Sequence, residues 1–279
     1  MLKTSIINKF DLIFGTSTGS IIGSLLALGY EVEQIHQLYN ECLPEVMRQK
    51  KRGDKSRALS DLADDVFKET KFDAVLTGLG VVATNWQLEK PMIFKGSVDQ
   101  AHGRTPTFVP GFGVKMSDAI QASCAAVPFF DRKTVTTAAG DVFELIDGGY
   151  CANNPTLYAI ADAVAALKIR PEDCRVLSLG CGNYPEPKPS FKEKMAKRHL
   201  ESVQLLLKTF QTNTTSMEQL RMILFRDTPT VRINDTFVRP DMAAGLFEAD
   251  LKKLNLLRLR GAESFAPRET DIKHLLLSE

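Results

Sequence analysis

Residues Phe10 to Gly29 constrain this chain more than any other stretch. Phe10-Asp11-Leu12-Ile13-Phe14 is short and mostly apolar, as a buried strand is. Ser20 to Leu28 has helical spacing and stops at Gly29, a residue suited to the left-handed position after a helix. Between them stands Gly15-x-Ser17-x-Gly19, the pattern of a nucleophile elbow. A strand that turns at once into a helix forces its corner residue into a strained conformation. Small neighbours let strand and helix approach, a part expected of Gly15 and Gly19. The Ser17 hydroxyl then stands clear of the backbone at a helix N-terminus, where the dipole favours negative charge. The bland alternative is a glycine-rich turn in an ordinary α/β protein.

The 279 residues are 44% hydrophobic and 25% charged, as in an ordinary globular protein with a sizeable core. A formal net charge of +1 gives no overall pull toward nucleic acid or an anionic membrane. Five cysteines (Cys42, Cys124, Cys151, Cys174 and Cys181) form no C-x-x-C pair. They are expected as reduced thiols in a cytosol-like compartment, and their spacing suits no zinc site. No run approaches the roughly 18 apolar residues of a membrane span. Lys3 is followed by polar residues and not by an apolar signal segment. The expected setting is cytoplasmic, with peripheral membrane contact.

Further along, Glu31 to Met47 reads as a helix with one apolar face. Arg48 to Arg57 carries six basic residues in ten, with Gly53 breaking the run. It reads as a solvated loop or, alternatively, as a contact for phospholipid headgroups or a phosphorylated ligand. A helix is expected over Ser60 to Phe72, and paired strands over Gly80 to Trp86 and Pro91 to Phe94. Gly96 to Gly113 reads as a surface loop containing His102. Ser117 to Ala126 is helical and small-residue-rich, which implies close packing. Val142 to Ile146 and Arg175 to Gly180 read as strands. Asn154-Pro155 opens a helix to about Leu167. After the proline-rich Tyr184 to Ser190, a mainly helical region is expected to pack on the first 190 residues. Polar Thr209 to Ser216 stands as a candidate interruption. A short strand at Thr230 to Ile233 and a helix at Met242 to Leu259 follow. The latter's Leu251 to Arg260 segment reads as a covering helix, with membrane-surface contact as the alternative.

A serine hydroxyl is a poor nucleophile without a base and without donors for the developing oxyanion. In the order Ser, Asp, His, only His199 and His274 follow the strand-end carboxylate Asp147. Both stand in helical stretches. The other candidate base is Asp147 itself, at the C-terminal end of a strand, where Gly148 and Gly149 allow a tight bend. An ordinary aspartate, with a pKa of about 3.9, is too weak a base. Burial beside Ser17 would raise that value and make a histidine unnecessary.

Taken together, the motifs resemble the patatin-like phospholipase family. The resemblance rests on Gly15-Thr16-Ser17-Thr18-Gly19 and on Asp147-Gly148-Gly149, 130 residues after the serine. Val82-Ala83-Thr84-Asn85, Ala122 to Phe130, Tyr150 to Pro155 and Ser178 to Gly182 add to it. It implies a three-layer α/β sandwich with a mostly parallel central sheet and an elbow after a central strand. It also implies a lipid acyl hydrolase in which Ser17 attacks the ester carbonyl and Asp147 accepts its proton. No metal or organic cofactor is implied. The implied partners are phospholipid or another lipid ester, transient membrane contact and, as in some bacterial members, a cyclic nucleotide activator.

One departure stands out. The family carries an Asp-Gly-Gly-Gly-x-Arg/Lys-Gly loop before the elbow that forms the oxyanion hole, and Met1 to Phe14 holds no such loop. The Thr18 backbone N–H is then the remaining donor, and the expectation is an N-terminally truncated form with reduced or no activity. The alternatives are a non-catalytic lipid-binding or regulatory protein, and a conventional esterase using His199 or His274.

Overall fold

The structure, a computed structural model, describes residues 6–184, 197–239, 242 and 248–277. Strand β1 (Leu12–Thr16) turns at Ser17 into helix α1 (Thr18–Ala27). Two helices follow, α2 (Val32–Arg48) and α3 (Arg52–Phe67). A capping box between Glu31 and Gln34 opens α2. The basic run is therefore not all loop. Gly53 falls in the first turn of α3, where a glycine interrupts little of the hydrogen-bond ladder.

Next come β2 (Gly78–Asn85), β3 (Lys90–Lys95), α4 (Met116–Ser123), β4 (Lys133–Thr136) and β5 (Val142–Asp147). The five strands form a mixed sheet, not a mostly parallel one. Only β1 and β2 run parallel, whereas β2–β3, β2–β5 and β4–β5 are antiparallel. Short connections explain this: residues 86–89 and 137–141 join β2 to β3 and β4 to β5, and so short a link can only reverse the chain. The elbow strand is also not central among the described residues. It pairs with β2 alone and lies at the edge of the sheet. The lane beyond its end is taken by β5, because Thr16 pairs with Val82 and Asp147 pairs with the next residue, Ala83.

Strand β2 is buried from Leu79 to Asn85, so both its faces are covered. Leu79, Val81 and Ala83 join the core beneath α1 to α4, with Leu25, Phe67, Ile120 and Leu145. Thr84, of the alternate set, reaches the opposite layer and donates to the Asp147 carbonyl. That layer holds α5 (Gly149–Ala152) and α6 (Thr156–Ala161), the latter passing into a π turn at Asp162–Ala166. Helix α7 (Lys197–Leu224) packs on α5 and α6. Its polar middle does not interrupt it, because the hydroxyls of Thr209, Thr214 and Thr215 bond the carbonyls four residues back.

Strands β6 (Val176–Leu179) and β7 (Thr230–Ile233) pair in parallel as a separate sheet. This pairing ties residues on both sides of position 190 together. The last helices are α8 (Leu251–Phe265), capped by Asp250, and α9 (Glu269–Leu277). The helix expected over Met242 to Leu259 thus begins later, and residues 243–247 lie outside the described residues. Among the described residues, no helix is long and apolar enough to cross a membrane.

Candidate active site

Two strands run toward each other along one side of β2. Strand β1 ends opposite Val82 and β5 ends opposite Ala83, so their C-terminal tips meet. The residues at those tips are Ser17 and Asp147. The Ser17 hydroxyl donates to Asp147 Oδ2 at 2.7 Å, and Asp147 Oδ1 accepts from the Gly149 N–H at 2.7 Å. No histidine stands between them.

Ser17 has φ 53° and ψ −129°, a backbone conformation that a residue with a side chain rarely adopts. The corner is tight. A Cβ on Gly15 would lie 2.3 Å from the Gly19 carbonyl oxygen, and one on Gly148 would lie 2.2 Å from that of Val82. Gly19 differs from the expectation, since a Cβ there meets nothing within 4 Å. The close approach at the elbow is made by Gly15 against the backbone of α1.

A residue not singled out from the sequence locks this corner. Fully buried Ser123, the last residue of α4, accepts from the Ser17 N–H at 2.9 Å and donates to the Val82 carbonyl at 2.6 Å. The Ser123 and Ala125 carbonyls accept from the N–H groups of Gly148 and Asp147. One turn of chain therefore fixes both halves of the pair. The small residues of Ala122 to Ala126 signalled close packing, but nothing in their pattern distinguished this hydroxyl. The Ser17 carbonyl accepts from the N–H and the hydroxyl of Ser20.

Asp147 is wholly buried. Burial pushes its carboxyl up to about 7, against the lowering effect of the Gly149 N–H and the Ser17 hydroxyl. Such a carboxylate is a far better base than an exposed aspartate. Burial likewise raises the thiol of Cys124, which lies beside Ser20 and Ser17. The Thr18 N–H opens α1, where no intrahelical acceptor exists for it.

The other candidates lie elsewhere. His102, itself exposed, has Nε2 2.6 Å from Oδ1 of buried Asp162, which also receives Lys95 and buried Gln100. His274 is exposed on α9. His199 falls in α7, but its side chain lies outside the described residues. Among the described residues, no group of His, Cys, Asp and Glu is placed to hold a metal ion.

A serine presented by a strand–turn–helix corner to a buried carboxylate is the arrangement of a serine hydrolase. Comparison with known proteins narrows this. A family model described as patatin-like phospholipase matches residues 2–160. A "cUMP-AMP-activated phospholipase" of Escherichia coli is 58% identical over 277 residues, which is 99% of this chain and 86% of that protein. "Patatin-like protein 1" of Oryza sativa subsp. indica is 29% identical over 62% of this chain and 49% of its own length. "Calcium-independent phospholipase A2-gamma" of Rattus norvegicus is 25% identical over 95% of this chain and 35% of its own length. The chain belongs to the patatin-like phospholipase family and is a lipid ester hydrolase.

Proposed function

We propose that this protein hydrolyses phospholipid acyl esters through a Ser17–Asp147 dyad and an acyl-enzyme. The observation that carries the reading is the direct 2.7 Å hydrogen bond from Ser17 to a buried carboxylate with a pKa near 7. Ser17 Oγ attacks the ester carbonyl while its proton passes to Asp147 Oδ2. The Gly149 N–H holds the other carboxylate oxygen, so Oδ2 stays aimed at the serine. The protonated Asp147 then gives its proton to the leaving alkoxide. Water attacks the acyl-enzyme with Asp147 again as base, and Ser17 recovers its proton. The oxyanion forms at the N-terminus of α1, where the Thr18 N–H supplies one donor. The E. coli relative's name supports a further part of the reading, that a cyclic dinucleotide raises the activity.

Fatty-acid release from phosphatidylglycerol and phosphatidylethanolamine vesicles, with and without cUMP-AMP, tests both parts. Labelling by a fluorophosphonate probe accompanies it. Labelling and release that disappear in Ser17→Ala support the enzyme. An intact protein that neither labels nor releases acid, with or without the nucleotide, is a lipid binder instead. Release indifferent to the nucleotide removes the activation alone.

A further inference from the structure

We infer that two threonine hydroxyls, those of Thr16 and Thr84, aim the general base by pinning α5 at both ends. The inference rests on the proposed dyad and adds positioning residues to it.

Helix α5 is a single turn, Gly149–Ala152. Inside it, the Cys151 and Ala152 N–H groups donate to the Gly148 carbonyl. So short a helix cannot hold its own place, because it gains too few bonds for the residues it fixes. Its placement matters all the same. Its first N–H, that of Gly149, donates to Asp147 Oδ1 and leaves Oδ2 for Ser17. The restraint on α5 therefore comes from outside.

At the start of the helix, the Thr84 hydroxyl of β2 donates to the Asp147 carbonyl at 2.9 Å. At its end, the Thr16 hydroxyl of β1 donates to the Ala152 carbonyl at 2.7 Å. Thr16, Thr84, Asp147 and Ala152 are all buried, so solvent offers these carbonyls no ready substitute. Thr16 has a second contact. A Cβ on Gly148 would lie 3.0 Å from its Cγ2, so the methyl leans on the turn while the hydroxyl holds the far end of α5. On the outer side, Asn213 of α7 donates to the Cys151 carbonyl at 2.9 Å. Because Thr16 directly precedes Ser17, the strand of the nucleophile and the helix of the base are joined by more than the dyad itself.

This pinning has a kinetic signature. Burial raises the Asp147 carboxyl, and the Gly149 N–H then lowers it. A helix released from its pins lengthens that bond, and the carboxyl rises further. The other titratable groups facing Asp147 are the thiols of Cys124 and Cys151 and the phenol of Tyr150. Burial pushes all three up, so they are uncharged at neutral pH and a displaced profile belongs to Asp147.

The test follows Ser17 labelling by a fluorophosphonate against pH. Ser17 Oγ attacks phosphorus, fluoride leaves and Asp147 takes the proton. The wild type is compared with Thr16→Val, Thr16→Ser, Thr84→Val and Thr84→Ser. Each valine keeps the branched shape without the donor, and each serine keeps the donor. In both valine variants the midpoint of the profile should move to higher pH and the plateau rate should fall about tenfold or more. Both serine variants should keep the wild-type midpoint. Valine variants that lose melting temperature with an unmoved midpoint show a purely structural role and overturn the inference. A serine variant that shifts as far as its valine counterpart also overturns it. Should Thr16→Val fail to fold, the Thr84 pair carries the same comparison. Amide exchange reads the pinning without turnover. Residues 148–152 should exchange faster in the valine variants, and unchanged protection there rejects the inference. A wild-type protein that never labels at Ser17 is a failure of the dyad reading, recognised by intact mass, and the exchange measurement then still tests the pins.

Discussion

Asp147 carries two consequences of one burial. Its folded-state carboxyl titrates near 7, above its unfolded value, so between about pH 4 and pH 7 the folded chain keeps a proton that the unfolded chain releases. Stability therefore falls as pH rises through that window, and the ionised carboxylate costs on the order of 4 kcal/mol above it. Asp147→Asn keeps the acceptor for Gly149 and removes the charge. It should raise the melting temperature at pH 8 but leave it nearly unchanged at pH 4, while lowering kcat by about 10²–10⁴. In the wild type, kcat/KM should rise with pH to a plateau through an apparent pKa near 7. Ser123 is the other residue whose loss is specific. Ser123→Ala strips the Ser17 N–H and the Val82 carbonyl of a buried partner, at about 1–3 kcal/mol. Denaturant midpoints should show that loss. Fluorophosphonate inactivation should slow with KM for short esters unchanged, because the strained Ser17 backbone loses its restraint.

At the scale of elements, the site is a property of β2. Because β1 and β5 occupy successive stretches of one side of that strand, their tips meet with no intervening group. The approach of β1 to α1 sets the other tolerance. Gly15→Ala places a methyl against the backbone of Gly19 and Ser20, at distances that no side-chain motion relieves. It should give insoluble protein or a collapse of cooperative unfolding. Gly19→Ala meets open space and should fold with a melting temperature within a few degrees of the wild type. Comparing soluble yield and melting curves for the two variants checks this asymmetry, which the symmetric Gly-x-Ser-x-Gly pattern conceals.

Across the whole molecule, a second buried polar centre clips distant segments together. Asp162, at the start of the π turn, receives Lys95 at 2.5 Å, His102 at 2.6 Å and Gln100 at 3.0 Å. The loop after β3 is thereby held to the layer carrying α6. Asp162→Ala leaves the part-buried Lys95 without its counter-charge and the buried Gln100 amide without its acceptor, and should cost about 1–3 kcal/mol in urea denaturation. Replacing the pair together, as Asp162→Leu with Lys95→Met, should recover most of that loss.

The sequence by itself determined the elbow and the family, and it pointed to Ser17 and Asp147 as the pair proposed here as nucleophile and base. Each is written in short contiguous runs whose chemistry is local: a glycine that lets a strand meet a helix, a serine at the corner, a carboxylate before two glycines. It also determined most helices through their periodicity, although the basic stretch at Arg52 and the polar middle of α7 read as breaks. There the deciding groups were backbone partners: a first helical turn that tolerates glycine, and threonine hydroxyls that turn back onto their own helix. Only the tertiary structure decided the mixed sheet, the edge position of β1 and the part played by Ser123. Strand direction and lane depend on which segments compete for one side of β2. A buried hydroxyl gains its role only when the Ser17 N–H and the Val82 carbonyl arrive at the same point from two different strands.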